Sequence, residues 1–339
     1  MNKLLICAYQ LRRMKPAQGH LEVHIVTDYL PADCGRMLKP WSSWLRILSC
    51  QATPPSVLRQ GQVLIAIGED TEVTKARLVI GDETQALQKR CDKNGVMCLV
   101  PDLGQFGTIE NDLLREVSFF DHELSGKNEW DGSPTQYADG FLRLFSSTHC
   151  RDSFPEWAFT HVKSTRRPLK VMDIGCGPIS MLRWGAIQGD VSITGVDPIL
   201  DMYTLSLARH GLDAMQKIRC DHEITGFAED LDELVPDYDF DVVYTRNALD
   251  HTQQLIKVVE CIGRRLGPGG IAAINVAERE GTRQGWDQLH KTDIYMENGV
   301  LMYASQHVSG KPLLRSASGL HLIWSKSESD WLYCVLEKR

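Results

Sequence analysis

No apolar run in this chain reaches the roughly 18 residues that a membrane-spanning helix needs. No stretch is repeated or biased enough for a repeat array or wholesale disorder. The opening MNKLLICAYQLRR has a short apolar segment broken at Tyr9 and Gln10 and no small-residue cleavage site, so a β-strand is expected there rather than a secretory leader. Basic character is lacking too. The 37 Lys and Arg against 44 Asp and Glu leave a net charge of −7, and the pairs Arg166–Arg167 and Arg264–Arg265 are too short to make a patch. This argues against a broad nucleic-acid footprint, which needs clustered cations against phosphates, though not against a small basic pocket. The ten cysteines include no C-x-x-C pair. The spacing signatures of zinc sites and disulfide frameworks are therefore missing, and reduced, mostly buried thiols of a cytoplasmic protein are expected.

What is present is ordinary globular composition at a length of 339 residues, enough for two domains. Over residues 1–110, strand-like runs at Leu4–Leu11, Leu21–Thr27, Gly61–Gly68 and Ala76–Gly81 lead to a helical stretch, ETQALQKRCDKNG, and a further strand, VMCLVPD. Strand, helix, strand implies a parallel pair with a crossover, hence a small α/β domain. Residues 111–165 are rich in aromatics, among them Phe119, Phe120, Trp130, Tyr137, Phe141, Phe145, Phe154, Trp157 and Phe159. They read as a connector of short helices and loops. From Arg166 onward strands and helices alternate: LKVMDIG, ISMLRWGAIQG, VSITGVD, ILDMYTLSLARHG, DFDVVYTRN, QQLIKVVECIGRRLG, GIAAINVA. Such alternation means a doubly wound sheet, with ligands beyond the carboxyl ends of its strands. The tail then changes rhythm, with a hairpin signal at Asn298–Gly299 and two more strands in LIWSKSESDWLYCVLEK.

The informative stretch is VMDIGCGPIS, residues 171–180, an apolar strand entering a glycine-rich turn. Gly175 and Gly177 permit a tight turn and close approach of a ligand, and a helix directly after them would offer backbone N–H groups. A lone G-x-G is weak evidence, because dinucleotide enzymes use it as well. Two residues separate the cases. The dinucleotide fingerprint wants a glycine where Ser180 stands, and it has no need of an acid inside the strand, where Asp173 stands. An acid there suits a ligand with a cationic amino group. Asp197 ends the next strand, where a carboxylate can accept two hydrogen bonds from a ribose diol.

These segments, VMDIGCG, ITGVDP, ITGFAEDL, DFDVVYTRNALDH and RRLGPGG, resemble in order and spacing the motifs of class I S-adenosylmethionine-dependent methyltransferases over about residues 166–280. The resemblance implies a Rossmann-like sheet of seven strands over 166–339, its last strand, WLYCVLEK, inserted antiparallel. Residues 1–110 would then be a smaller N-terminal α/β domain, and 111–165 a helical aromatic connector or lid. It further implies that Asp173 faces the methionine end of S-adenosylmethionine, that Asp197 binds the ribose, and that Ala228 and Glu229 lie along the adenine. The segment Thr245–Leu249, with Asn247, would pass under the methionine. Gly175, Cys176, Gly177 and Pro198 complete the cofactor set, with Tyr137 of the connector as a further candidate. Pro178 and Asp250 depart from the commonest pattern, in which a small or polar residue and a Glu stand at those places.

Methyl transfer is an in-line displacement in which the enzyme chiefly positions the nucleophile. A hydroxyl or amine acceptor profits from a base; a carboxylate does not. His251, in RNALDHT, is the leading base, and His290, in GWDQLHKTD, the second; either could also start a helix or pack structurally. His222 reads as structural. Asp250 with His251, or Asp287 with His290, offers two metal-ligand types at loose spacing, too little to expect a metal. The acceptor is expected to be a small molecule, glycan or peptide, with the N-terminal domain as recognition module, and a homodimer is left open. The competing readings are cofactor binding without transfer, which intact motifs disfavour, and an NAD-dependent oxidoreductase, which Ser180 and Asp173 disfavour.

Overall fold

The computed structural model describes residues 21–27, 45–51, 63–67, 78–80, 97–99, 108–125, 151, 154–210, 220–236, 239–286 and 289–339. The expected strand at Leu4–Leu11, the helical stretch after Gly81, and Trp130, Tyr137, Phe141, Phe145 and Asp287 lie outside the described residues. In chain order the elements begin with β1 (Leu21–Thr27), β2 (Leu45–Gln51), β3 (Val63–Ile67), β4 (Leu78–Ile80), β5 (Met97–Leu99) and α1 (Thr108–Ser125). Next come β6 (Leu169–Ile174), α2 (Arg183–Ile187), β7 (Val191–Asp197), α3 (Leu200–Arg209), β8 (His222–Thr225), β9 (Phe240–Arg246), α4 (Leu255–Arg265) and β10 (Leu266–Ala277). The last are β11 (Thr292–Glu297), β12 (Val300–Ser305), β13 (Val308–Pro312), β14 (Leu320–Glu328) and β15 (Trp331–Lys338). Among the described residues no helix is long and apolar enough to cross a membrane.

The chain falls into two compact units, residues 1–135 with 201–213, and residues 136–200 with 214–339. In the first, β2, β1 and β3 form a parallel sheet in that order, and β4 pairs parallel with β5. The sequence reading had no strand at β2. The same reading expects short helices and loops after residue 110, whereas α1 is a continuous helix of 18 residues. Residues 201–210 join this unit through Asp121 of α1. Its carboxylate, 2% exposed, accepts from Ser206 Oγ at 2.6 Å, lies 3.0 Å from His210 Nε2 and pairs with Arg209. Phe120 meets Tyr203 edge to face at 5.2 Å. A buried carboxylate requires such partners, since removing it from water without them is costly.

The second unit is built on a seven-stranded sheet in the order β14-β15-β10-β9-β6-β7-β8. β10, β9, β6, β7 and β8 run parallel, and β15 is antiparallel to both β10 and β14. This is the seven-stranded sheet with an antiparallel final strand that the motifs imply. Its central strands are buried on both faces: Val171, Met172, Val242 and Val243 are all 0% exposed. That is why they read as continuous apolar runs. Helix α4 turns Leu255, Val258, Val259 and Ile262 into the core, a 3.6-residue period, and each such side chain contributes roughly 1.5–3 kcal/mol. A Cβ on its Gly263 would meet Ser318 O at 1.9 Å, so α4 lies directly on the turn before β14. Three of the four arginines in the two basic pairs meet acids within the unit, Arg166 on Asp241 and Arg264 and Arg265 on Asp232, while Arg167 donates to backbone carbonyls. The Asn298–Gly299 turn, with φ of +49° and +77°, joins β11 to β12 as an antiparallel hairpin.

Candidate active site

The carboxyl ends of β6, β7, β8 and β9 bring most of the candidate residues to one edge of the sheet. Gly175 and Gly177, with φ of +67° and +61°, follow β6. Gly175 N donates to Val196 O at 2.8 Å, and a Cβ on Gly175 would sit 2.2 Å from that of Ala248. Only glycine allows this turn to lie so close to the segment after β9. The turn does not enter a helix directly. Residues 178–182 form further turns, and α2 has five residues without a side-chain cap. The Ser180 hydroxyl donates to Asp173 Oδ2 at 2.5 Å while accepting from Leu182 N at 3.1 Å, which ties the turn ahead of α2 to β6.

Asp173 is 3% exposed, and its burial, with the Asp197 charge adding to it, pushes its carboxyl up to about 7 against the Ser180 hydrogen bond. Asp197, at the end of β7, is equally enclosed and serves two backbone groups. Oδ2 accepts from Gly177 N at 3.2 Å and Oδ1 from Ile199 N at 3.0 Å. It thereby ties the glycine turn to its own strand. Pro198 beside it is half-buried. The thiol of Cys176 turns the other way. It and Cys220 both face Gly195, whose added Cβ would meet them at 2.8 and 2.4 Å, and the neighbouring Cys220 thiol, with burial, pushes Cys176 well above the usual thiol range. Cys176 therefore offers the turn its backbone.

Ala228 and Glu229 follow β8 in a short helical turn, both 9% exposed. The Glu229 carboxylate accepts from Gln253 N at 2.7 Å and Gln254 N at 3.2 Å, where the chain enters α4. Its side chain thus satisfies orphan donors at that helix start. Phe227 precedes them and is 38% exposed, an apolar ring at the strand end that sequence reading passed over. Gly226 N donates to Asp197 O at 3.2 Å, which places this turn beside the end of β7. Past β9, Asn247 adopts φ +49° and donates its N–H to Asn275 O at 2.8 Å. Thr245 Oγ1 and Asn247 Oδ1 are buried polar atoms with no hydrogen-bond partner among the described residues. Such orphans are costly unless a ligand or water satisfies them.

Four residues on, Leu249–His251 form a single 3-10 turn, so His251 does not start α4. Asp250, 1% exposed, collects both candidate histidines. Its Oδ2 lies 2.8 Å from His290 Nδ1 and 3.4 Å from His251 Nε2, and the two rings meet edge to face at 4.9 Å. Lys291 N donates to Asp250 O at 2.9 Å, fastening the loop before β11 to the turn after β9. The sequence suggested Asp250 for His251 and Asp287 for His290; here Asp250 is hydrogen-bonded to His290, and His251 lies 3.4 Å from the same oxygen. Forty residues separate Asp250 from His290, a pairing no local pattern encodes. His222 is exposed at the start of β8.

A carboxylate can only accept, so the Nδ1 proton of His290 points at Asp250 and Nε2 becomes the ring's basic nitrogen. The edge thus combines a glycine turn, two buried acids, unsatisfied amide and hydroxyl oxygens, and two adjoining imidazoles, of which His290 is held by Asp250.

A family model described as a methyltransferase domain matches residues 137–324. No curated protein sequence matches the chain. Among solved structures it is similar to a candidate sarcosine dimethylglycine methyltransferase from Galdieria sulphuraria, at 16% identity and TM-score 0.42 over 66% of this chain and 98% of that one. It is similar to the N-methyltransferase NodS from Bradyrhizobium japonicum bound to S-adenosylhomocysteine, at 13% identity and TM-score 0.39 over 66% and 98%. It is also similar to the 1,6-didemethyltoxoflavin N1-methyltransferase of Burkholderia thailandensis, at 16% identity and TM-score 0.38 over 69% and 91%.

Proposed function

Because the chain belongs to the methyltransferase-domain family and is an S-adenosylmethionine-dependent methyltransferase, we propose that it methylates an oxygen of a small molecule, glycan or peptide, with the Asp250–His251–His290 cluster taking the acceptor's proton. One observation carries this: the His290 imidazole is hydrogen-bonded through Nδ1 to a buried carboxylate at the end of β9, with the His251 ring edge to face against it. When bound, S-adenosylmethionine supplies an electrophilic methyl group on a sulfonium. The chain's residues fit it, since the orphaned Thr245 Oγ1 and Asn247 Oδ1, the glycine turn and two buried acids lie along one strand edge. Asp197, at the end of β7, would hold the ribose diol, and Asp173 with Asn247 Oδ1 would receive the methionine ammonium. Ala228 lines the adenine, while Glu229 supports that wall from behind through the start of α4. The Asp250 carboxylate holds the His290 ring by Nδ1, and Nε2 takes a proton from the acceptor hydroxyl. The limits 1–110, 111–165 and 166–339, with the first segment recognising the acceptor, belong to the same proposal.

The Asp173 assignment makes a pH-dependent prediction. With its folded pKa raised from 3.8 to about 7, the carboxyl is largely neutral below that pH, and an incoming ammonium must first displace its proton. The dissociation constant for S-adenosylhomocysteine should fall about tenfold per pH unit up to about 7 and then level. The stability of the cofactor-free protein runs the other way. A raised carboxyl favours folding fully below 3.8, and that contribution is lost as pH rises through about 7. Melting temperatures relative to Asp173→Asn should therefore drift down across this window. A wild-type affinity as flat with pH as that of Asp173→Asn removes the assignment.

The acceptor atom is tested with methyl-labelled S-adenosylmethionine and matched hydroxyl, amine and carboxylate compounds. A label retained in alkali as a methyl ether is expected. A label lost in alkali marks a methyl ester and brings the carboxylate acceptor forward, and a methylated amine overturns oxygen transfer.

A further inference from the structure

Asp250, His251 and His290 each offer one ligand atom, all within 4.8 Å of one another. We propose that these three side chains form a binding site for a borderline divalent cation of the zinc, cobalt or nickel class. The site is the one used for proton abstraction above, and its location rests on that reading, but the inference stands on the three side chains alone.

Two imidazoles and one carboxylate are the donor set that such ions accept, whereas magnesium and calcium favour oxygen. Metal-to-ligand distances of about 2.0–2.2 Å require the three atoms to close slightly, which rotation of two half-buried rings allows. The carboxylate adds a second, independent observation. Asp250 is 1% exposed, yet its Oδ1 has no hydrogen-bond partner among the described residues. A buried anion with an unsatisfied oxygen beside two imidazoles is a place where positive charge is favoured, and a proton and a metal ion compete for it. The backbone already holds the ligands together, since Lys291 N donates to Asp250 O at 2.9 Å and draws the loop carrying His290 onto the turn carrying His251. Binding would therefore cost little reorganisation. Occupancy by the ion excludes base action by His290: bound through Nδ1 the ring carries its proton on Nε2, and bound through Nε2 that lone pair is spent.

The test uses full-length, tag-free protein, zinc chloride in a calorimeter, and cobalt chloride in a spectrophotometer. One zinc ion per chain is expected, with affinity at least roughly tenfold weaker in His251→Ala and in His290→Ala. Melting curves of both variants establish that they fold. Bound cobalt should show visible bands without a thiolate charge-transfer band. No zinc binding by the wild type, equal affinity in the variants, or a thiolate band placing the metal on cysteines overturns the inference. The two readings fail separately. If zinc binds and both variants lose it, yet turnover persists at saturating zinc, the base reading falls and the metal site stands. If zinc does not bind while His290→Ala abolishes turnover, the metal site falls and the base stands.

Discussion

His290→Ala is expected to lower turnover by roughly 10²–10⁴-fold while leaving the affinity for S-adenosylhomocysteine unchanged. The size follows from what the ring does. Asp250 Oδ2, 2.8 Å from Nδ1, sets the tautomer and holds the plane, so Nε2 is oriented before the acceptor arrives. Alanine removes the base and leaves the glycine turn, Asp173 and Asp197 untouched. Asp250→Asn should approach the same loss by another route. An amide can turn its N–H toward Nδ1 and place the proton on the wrong nitrogen. His251→Ala tests the second ring, whose Nε2 lies 3.4 Å from the same oxygen. Turnover measured on the native acceptor, with calorimetry as control, decides the matter. If His251→Ala and His290→Ala both keep full turnover, histidine does not take the proton. A carboxylate acceptor, already ionised and needing only to be held, then becomes the better reading.

Asp197→Ala should weaken cofactor binding by a comparable factor. Two ribose hydrogen bonds to a charged acceptor contribute roughly 1.5–3 kcal/mol each in favourable cases. Together they correspond to about 10²–10⁴-fold in the dissociation constant. The structure adds a second cost. The same carboxylate accepts from Gly177 N and Ile199 N, so alanine also releases the glycine turn from β7. Asp197→Asn separates the two, since its one remaining oxygen can keep a backbone bond while the charge is gone. Calorimetry with S-adenosylhomocysteine, read beside melting temperature, gives the comparison. Unchanged affinity in Asp197→Ala removes the ribose assignment at the end of β7.

The sheet was legible because its strands are enclosed. VMDI, ITGVD and DVVYT are apolar runs ended by turn residues, and two-sided burial of β6, β7 and β9 is the physical source of that pattern. The Asn298–Gly299 hairpin was legible because its turn needs positive φ. The shortness of α2 was not, since Ser180, inside the run that reads as helical, is tied to an acid seven residues earlier in β6. Strand β2, LRILSCQ, mixes basic, apolar and polar residues without clean alternation and gave no strand signal. Within the site, glycines and strand-end acids announce themselves by spacing. The shared carboxylate of Asp250, the bond from Glu229 to the start of α4 and the Cys176–Cys220 contact join residues 24 to 44 positions apart, and only the folded sheet brings them together.

The position of β15 sets an order of assembly. It is the latest of the sheet's strands to leave the ribosome, yet it lies between β10 and β14. Until residues 331–338 emerge, β10 keeps an open edge of unpaired amides, and β14 has no neighbour to dock against. Leu332, Cys334, Val335 and Leu336, all without solvent exposure in the finished protein, are the last core side chains of the sheet to be synthesised. The parallel strands that carry the cofactor residues are thus synthesised long before the sheet can close. A nascent chain of this protein must wait, with its central edge unpaired, for its last strand to slide into the gap.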